Sequence, residues 1–508
     1  MRTRSILLAA GILASLSSAS AQIYDFTTIA GLATNIGSAD GTNSAARFNQ
    51  PMGVAVDTNG NVYVADMFND TIRKITPVGT NWVTTTIAGL AEHDGIADGT
   101  NSVARFEWPY GVAVDADGNV YVADTLNHTI RKITPVGTNW VTTTIAGLAG
   151  DASSVDGTNG ATRFNEPFRI AVATNGNLYV SSADCTIRKI TPVGTNLVTT
   201  TIAGQAAVNG SADGTNSAAR FNYPYGLAVG ADGNVYVADT LNHTIRKIVP
   251  VGTNWVTSTI AGSSGHHGTT DGTNSAARFY QPYGVAVDSG GNLYVADMAN
   301  DTIRKITPVG TNWVVSTIAG QALNHGSTDG TNNAALFYSP YGVALDSHGN
   351  MYVADTGNHT IRQGILWGTL TITKETAKLN FAKTNSDSCA LTATLDLDAS
   401  YNLTNLLVSL DIGGADASFT LDAKGKGRGV GTNATCKLSY KKKTGPWTFT
   451  AKLKNGSWAT QWETYGLTNA TTNSTVTLPV VMQIGDEMFA GEKAILYKAK
   501  AGKSGSAK

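Results

Sequence analysis

Charge is scarce in this 508-residue chain: Asp, Glu, Lys and Arg together make up 14%, and the formal net charge is −1. A nucleic-acid binder wants a dense basic stripe. None is present: residues 1–363 carry 19 basic and 26 acidic side chains, and residues 364–508 carry 17 and 11. The sequence therefore reads as a mildly acidic first part and a mildly basic second part, with no nucleic-acid partner. Past its first residues the chain has no apolar run of the ~20 residues that a membrane-spanning helix needs. Cysteine is scarce too, at three, which excludes a dense disulfide scaffold. No Gly-rich phosphate loop sits between a strand and a helix. No Gly-x-Ser-x-Gly or His-Glu-x-x-His sequence occurs, so the common nucleotide, serine-hydrolase and zinc-peptidase signatures are missing. No cofactor is implied.

What is present is a repeat. The stretch Pro109-Tyr-Gly-Val-Ala-Val-Asp-Ala-Asp-Gly-Asn-Val-Tyr-Val-Ala-Asp-Thr-Leu-Asn-His-Thr-Ile-Arg-Lys132 recurs from Pro51, Pro167, Pro224, Pro282 and Pro340. Near-copies at a fixed period mean a repeat architecture. Within the unit, Gly111–Asp115 is a short apolar run rich in β-branched residues, Asp117-Gly-Asn119 is a turn, and Val120–Ala123 is a second run. A turn at Asp124–Asn127 leads to a third strand from Thr129 to Thr134. Pro135–Asn139 turns again before a fourth strand, Trp140–Ala146. Four antiparallel strands per repeat make a propeller blade. The first two strands lack a clean polar alternation, as expected of sheets covered on both faces.

This unit resembles the NHL-repeat family of propellers. The resemblance rests on Pro-x-Gly-Val-Ala-Val-Asp-x-x-Gly-Asn-Val-Tyr-Val-Ala-Asp followed by Asn-His-x-Ile-Arg, and it covers roughly residues 24 to 363. It implies an all-β fold with a six-bladed propeller. For function it implies protein or RNA binding in the family at large. In a few relatives it implies lyase or lactonase chemistry with a divalent metal held in the central channel by polar residues of several inner strands.

Residues 1–21 read as a signal peptide: Arg2 and Arg4 open it, Ile6–Leu16 is its apolar core, and Ala19-Ser-Ala21 is a small-residue cleavage site. The mature chain is expected to start after Ala21 and to be secreted, periplasmic or held at the cell surface. Residues 22–366 are assigned to the propeller. Tyr24–Gly31 matches the end of a fourth strand but precedes the first repeat, and the sixth repeat lacks that strand. The N-terminal strand is therefore expected to close the ring. Residues 367–497 are richer in Lys, Thr, Leu and Ser. Runs such as Leu391–Leu397 and Trp447–Leu453 alternate with period two, which suggests a β-sandwich-like domain. Residues 498–508 read as a disordered tail. Cys389 and Cys436 are expected to form a disulfide, leaving Cys185 over.

Between blades lies an insertion marked Asp-Gly-Thr-Asn, beginning at Asp40, Asp98, Asp156, Asp213, Asp271 and Asp329. It is followed by a short capped helical turn, as at Asn216–Phe221, and by a phenylalanine expected to plug between blades (Phe48, Phe106, Phe164, Phe221, Phe279, Phe337). The Asp-Gly-Thr-Asn loop has too few acidic ligands for calcium and reads as structural. His128, His243 and His359 occupy equivalent turns, with Asp70 and Asp301 in the same place elsewhere. Three-fold points that far from the axis lie on the order of 20 Å apart, whereas zinc needs nitrogens at about 2.1 Å. They are expected to bond the neighbouring blade's backbone instead. Asp66, Asp124, Asp239, Asp297 and Asp355 are expected to accept turn N–H groups. The regular Arg-Lys pairs, such as Arg131-Lys132, are expected to be surface charge.

The candidate site is the channel mouth, where each blade's first strand begins. The residues after the prolines are Met52, Tyr110, Phe168, Tyr225, Tyr283 and Tyr341, with Arg169 adjacent in the third repeat. Arg169 stands where the other copies have glycine; the same repeat carries Ala173, Ser182 and Leu197 where the others carry Asp (Gly230 in the fourth), Asp and Trp (the sixth lacks that strand). Such a ring suits a glycan or a peptide: aromatic faces for packing, hydroxyls for orientation. The inner strands present no asymmetric polar cluster for a metal. The reading favoured is a secreted, non-enzymatic binding or scaffold propeller. The alternative is a propeller lyase or lactonase with a divalent metal in its channel.

Overall fold

The computed structural model describes residues 22–379, 387–395, 407–412, 415–422, 424–429, 434–440, 447–456, 472–484, 487–500 and 504–507. The expected signal segment, 1–21, lies outside the described residues. Ile23–Leu366 form one compact unit, and a second begins at Trp367.

The first unit is a six-bladed propeller. Blade one shows the pattern: Pro51–Val56, Val62–Asp66, Thr71–Val78 and Asn81–Gly89 pair antiparallel in sequence order. The first turn is set by Asp57, whose Oδ1 accepts the N–H groups of Asn59 and Asn61, each at 2.9 Å. A fifth, two-residue strand comes from the insertion: Gly41 and Thr42 pair with Thr84 and Val83 on the blade's outer edge. The insertion thus runs out to the rim of its blade before returning to the axis. It also covers an edge that would otherwise offer unpaired N–H groups to another chain.

The expected helical turn is a three-residue 3-10 turn, Asn43–Ala45, and no side chain caps its N–H groups. Asn43 instead braces the insertion against the outer hairpin. Its Oδ1 accepts the Trp82 N–H at 2.7 Å, and its Nδ2 donates to Asn81 Oδ1 at 2.9 Å. The six insertion phenylalanines are fully buried. Phe48 sits in one apolar cluster with Ile29, Tyr352 and Ile361 of blade six and Val54 and Val62 of blade one, so it fills the seam as expected.

Closure also follows expectation. Tyr24–Gly31 pairs along Thr360–Leu366, from Tyr24 opposite Leu366 to Gly31 opposite Thr360. Tyr24, Phe26, Ile29 and Ala30 are buried. The sixth insertion then adds Gly330 and Thr331 to the other side of this strand. Leu370–Ile372, the other segment that could have supplied the missing strand, pairs within the second unit, with Ala393–Leu395.

The second unit is all-β, with the alternation the sequence displays. Its sheet is continuous. Gly368–Leu379, Asp387–Leu395, Trp447–Gly456, Thr435–Tyr440, Lys426–Gly429, Ala415–Leu421, Leu407–Ile412, Thr472–Ile484 and Glu487–Lys500 pair in that order. Gly368 and Thr369 then pair with Phe489 and Ala490 to close it. Leu391, Leu410, Phe419, Leu438, Phe449 and Met482 belong to its buried core.

Two expectations fail here. Within the tail 498–508, expected to be disordered, Ser504–Ala507 is a strand: Ser506 pairs with both Lys498 and Lys378. The disulfide between Cys389 and Cys436 is not formed. Cys389 lies opposite Leu453 and Cys436 opposite Ala451, on the two sides of the strand Trp447–Gly456. Two strand spacings separate them, about 9.6 Å, beyond the ~7 Å limit for bridging. Burial pushes the Cys436 thiol up to about 12.

Candidate functional site

One face of the propeller gathers the insertions, the turns between second and third strands, and the starts of the inner strands. Phe68 N–H donating to the Asn49 carbonyl, and Gly89 packing on Asp70 and Thr71, place these segments together. Two rings of interactions hold that face rigid.

The outer ring is ionic. The arginine of each Arg-Lys pair is fully buried, which corrects the surface reading. Arg73 donates through Nη1 to Asp66 and through Nη2 to Asp40, both at 2.8 Å, and its guanidinium lies 5.0 Å from the Phe48 ring centre. Asp66 also accepts the Asn49 N–H at 2.8 Å and Asn69 Nδ2 at 2.7 Å. The backbone N–H it holds is the insertion's and its turn contact is a side-chain amide, so in place of the expected turn N–H bonds it ties turn, insertion and arginine together. Asp40 is fully engaged, accepting from Arg73 and from both Thr86 N and Thr86 Oγ1. Its loop is therefore structural. A buried cation must be paired and hydrogen-bonded, and each insertion aspartate supplies one half of that requirement. The lysine next to each arginine stays partly exposed. Lys74 Nζ rests 5.8 Å from the Tyr63 ring and 5.5 Å from the Trp140 ring of the next blade.

The second ring latches neighbouring blades, as the turn residues lead one to expect. His359 Nδ1 accepts the Gln50 N–H at 3.1 Å, His128 Nδ1 that of Glu166 at 3.2 Å, and His243 Nδ1 that of Gln281 at 3.2 Å. Asp70 accepts from Trp108 at 2.9 Å and Asp301 from Ser339 at 2.8 Å. Cys185 holds the sixth position, and its thiol donates to the Ala183 carbonyl at 3.7 Å. Donor and acceptor residues alike have left-handed backbones, with φ from 44° at Glu166 to 65° at Cys185.

Inside these rings the channel-mouth residues come together in one cluster. Met52, Tyr110 and Phe168 are buried, and Tyr225, Tyr283 and Tyr341 are half-buried against them. The rings pack on each other: Phe168 and Tyr225 centroids are 4.1 Å apart, Tyr225 and Tyr283 4.5 Å, and Tyr283 and Tyr341 4.2 Å. Tyr110 stacks on Tyr225 at 5.7 Å. Burial pushes the Tyr225 hydroxyl up to about 12 and raises those of Tyr110, Tyr283 and Tyr341, so all four are neutral donors. The mouth is thus an aromatic plug.

The same face carries aromatic residues that the sequence reading passed over, and one of them, Tyr223, extends the plug outward. Tyr223, 40% exposed, stacks on Phe168 and on Tyr225. Trp108, 44% exposed, packs edge-on against Phe68. Tyr280 stacks on His267 and Tyr338 on His325. These positions lie one or two residues before each proline. There the repeats differ among themselves, reading Asn-Gln, Glu-Trp, Asn-Glu, Asn-Tyr, Tyr-Gln and Tyr-Ser. Variation inside a strict repeat is the signal that could have found them.

Arg169 crosses the channel. The third residue of the inner strand is glycine in the other five blades, and those glycines let adjacent inner strands touch: a Cβ on Gly226 would overlap the Tyr283 carbonyl, and one on Gly284 the Tyr341 carbonyl. From blade three the Arg169 side chain reaches the far wall. Its Nη2 lies 3.4 Å from the Met52 carbonyl and 3.3 Å from the Tyr341 carbonyl, in blades one and six. Desolvation lowers its pKa to about 10.

At the opposite end of the inner strands, Asp57, Asp115, Asp288 and Asp346 are engaged with their own turns. Asp57 Oδ2 accepts from Asn61 Nδ2 and the Tyr63 hydroxyl, and the other three repeat this. Among the described residues no group of three His, Cys, Asp or Glu side chains is placed to hold a metal.

Fold and face together define a six-bladed propeller with an aromatic-plugged channel. The NHL repeat profile matches residues 48–71, 106–133, 221–248, 279–306 and 337–363, and the propeller belongs to the NHL-repeat family. Blade three is the one without a match. The chain is similar to Protein SUPPRESSOR OF QUENCHING 1, chloroplastic, of Arabidopsis thaliana, at 30% identity over 291 residues, 54% of this chain and 26% of that protein. It is 28% identical to human NHL repeat-containing protein 2 over 298 residues, 53% of this chain and 40% of that protein. The match thus spans well under half the length of these relatives. Among solved structures, a Bacteroides thetaiotaomicron structural genomics protein of unknown function superposes with a TM-score of 0.52 at 24% identity, over 68% of this chain and 76% of that one. An auxiliary nutrient binding protein of Bacteroides ovatus superposes with a TM-score of 0.50 at 19% identity, over 68% and 76%. Both likenesses concern the fold.

Proposed function

We propose that this protein is an exported binding propeller that takes a glycan or peptide on the face carrying the aromatic plug. In this reading residues 1–21 direct export and are removed after Ala21, and residues 22–366 carry the binding face. One observation carries the proposal: the rings form a continuous platform, from buried Phe168 through half-buried Tyr225 and Tyr283 to exposed Tyr223. Large exposed aromatics supply contact area at low entropic cost. Neutral tyrosine hydroxyls add orientation. The alternative, a lyase or lactonase using a channel metal, meets an electrostatic obstacle. The Arg169 guanidinium lies across the channel, and like charge repels a divalent cation in a poorly solvated site.

The test is a glycan and peptide binding screen on the full chain, with metal analysis, followed by Tyr225→Ala/Tyr283→Ala. Each aromatic contact is worth about 0.5–1.5 kcal/mol beyond its buried area, so the double variant should bind at least about 10-fold more weakly while circular dichroism stays native. Undiminished binding by the folded variant would remove the plug from the site. A tightly held divalent metal accompanied by lyase or lactonase turnover would replace the binding reading with the enzymatic one.

A further inference from the structure

Seven arginines are buried in the propeller: Arg73, Arg131, Arg188, Arg246, Arg304, Arg362 and Arg169. The first six each pair with at least one carboxylate. Arg169, 7% exposed, has no ion-pair partner among the described residues, and the hydrogen bonds it makes to carbonyls across the channel are long, at 3.3 and 3.4 Å. An isolated buried cation is costly, and the other six show how this fold meets that cost. The guanidinium also lies where two glycines leave room. A Cβ on Gly53 would stand 2.8 Å from Nη1, and one on Gly342 3.1 Å from Nη2. Five of six blades keep this position empty, so the space and the charge come from one substitution. The guanidinium ends beside the backbone of Met52, the one ring position without an aromatic and the most adaptable side chain in the plug.

We infer that Arg169 is the anion-recognising residue of this face, and that the ligand is an acidic sugar whose carboxylate meets the guanidinium while its ring lies on the tyrosines. The inference rests on the reading of this face as a binding site and adds the class of ligand. A guanidinium fork matches a carboxylate with two parallel hydrogen bonds. A planar carboxylate offers that fork two acceptor oxygens. The aromatic platform takes the apolar face of a pyranose.

The test titrates the full chain with galacturonic acid oligomers, galactose oligomers of the same length, and a tripeptide with its C-terminus free or amidated. Charge-assisted hydrogen bonds predict that the acidic sugar binds about 10- to 100-fold more tightly than the neutral one. Arg169→Gly restores the residue of the other five blades, and Arg169→Gln keeps length without charge. Both should abolish the preference, bringing the acidic sugar down to the affinity of the neutral one. Equal binding of the two sugars, or a preference that survives in both variants, overturns the inference and leaves the binding face standing. An Arg169-dependent preference shown by the free-carboxylate peptide and not by the sugars overturns the sugar assignment. Failure of every probe to bind the wild type removes both readings.

Discussion

Blade three and the other five blades solve the same packing problem with different side chains. In blade one the buried Arg73 has two carboxylates, Asp66 on its own sheet and Asp40 on the insertion. In blade three the inner aspartate is Ser182, and Arg188 keeps Asp156 at 2.6 Å and the Arg163 carbonyl at 2.6 Å. Its second-to-third-strand turn is one residue shorter, and Asp184 holds it by accepting the Thr186 N–H and hydroxyl. The strands nevertheless pair in the common register, Thr186 opposite Gly204 through Val193 opposite Asn196. One outer carboxylate and a carbonyl therefore suffice to keep the arginine buried. The inner aspartate serves chiefly to tie down the turn and the residue two before the proline. Blade three, relieved of that tie, is also the blade that sends Arg169 into the channel. The symmetry breaks where a ligand would meet the protein.

The largest effect expected separates blade six from the rest, because only its fourth strand comes from elsewhere in the sequence. Deleting Gln22–Gly31 removes buried Tyr24, Phe26 and Ile29 and exposes the edge of Thr360–Leu366. Each large side chain is worth about 1.5–3 kcal/mol and each strand hydrogen bond about 1 kcal/mol net, against a typical domain stability of about 5–15 kcal/mol. Calorimetry should show the propeller transition lowered by many degrees or lost. The transition of the second unit, which has its own core, should be unmoved. An unmoved propeller transition would mean that closure does not depend on this strand.

A smaller effect should follow from making blade one resemble blade three. Asp66→Ser leaves Arg73 with Asp40 as its one carboxylate, beside the Arg47 and Ala39 carbonyls, and strips the Asn49 N–H and Asn69 Nδ2 of their acceptor. Removing one partner of a buried pair costs about 3–5 kcal/mol. In blade three, where the arrangement already lacks that partner, Ser182→Ala should cost less than about 1 kcal/mol. Urea denaturation of the two variants measures the contrast, and equal losses would mean that the inner aspartate is dispensable everywhere.

The smallest effect distinguishes the latches by pH. Burial lowers the pKa of His359 and, together with nearby His267, that of His243 below 6.5. Folding therefore favours the neutral rings. Their contribution is present above about pH 6.5 and is lost as pH falls through the depressed values, because a proton on Nδ1 removes the acceptor of Gln50 or Gln281. Burial raises the Asp70 and Asp301 carboxyls, but a carboxyl that takes up a proton keeps an oxygen that can accept the N–H, whereas an imidazole does not. Hydrogen exchange, corrected for the intrinsic pH dependence, should show Gln50 and Gln281 amides losing protection between pH 7.5 and 5.5 while Trp108 and Ser339 keep theirs. Uniform loss at all four would deny the histidines a separate role.

Much of this propeller is legible in the chain because repetition turns local chemistry into global count. Six prolines at a fixed period give six blades, and the unmatched Tyr24–Gly31 gives the closure. The turn position shared by His128, Asp70 and their equivalents gives the latches, since an acceptor side chain on a left-handed residue has only the next blade to meet. The channel-mouth residues follow from strand order alone. Three features were hidden. Arg73 and its five equivalents read as surface charge because the partner that buries them, the Asp40 set, lies 33 residues away in blades one, two and four to six and 32 in blade three. Cys389 and Cys436 seemed a natural pair because sequence records their presence in one domain and nothing of the strand between them. The packing of the six mouth residues into a plug depends on how far the inner glycines let the blades approach, a distance no single repeat contains. Local pattern, a period of two within strands and of one blade along the chain, determined the fold and its closure. Which charges are buried only the folded insertion decided, because it brings Asp40 onto Arg73 from 33 positions away; that Arg169 reaches blades one and six only the closed ring decided, because those contacts join residues more than a hundred positions apart.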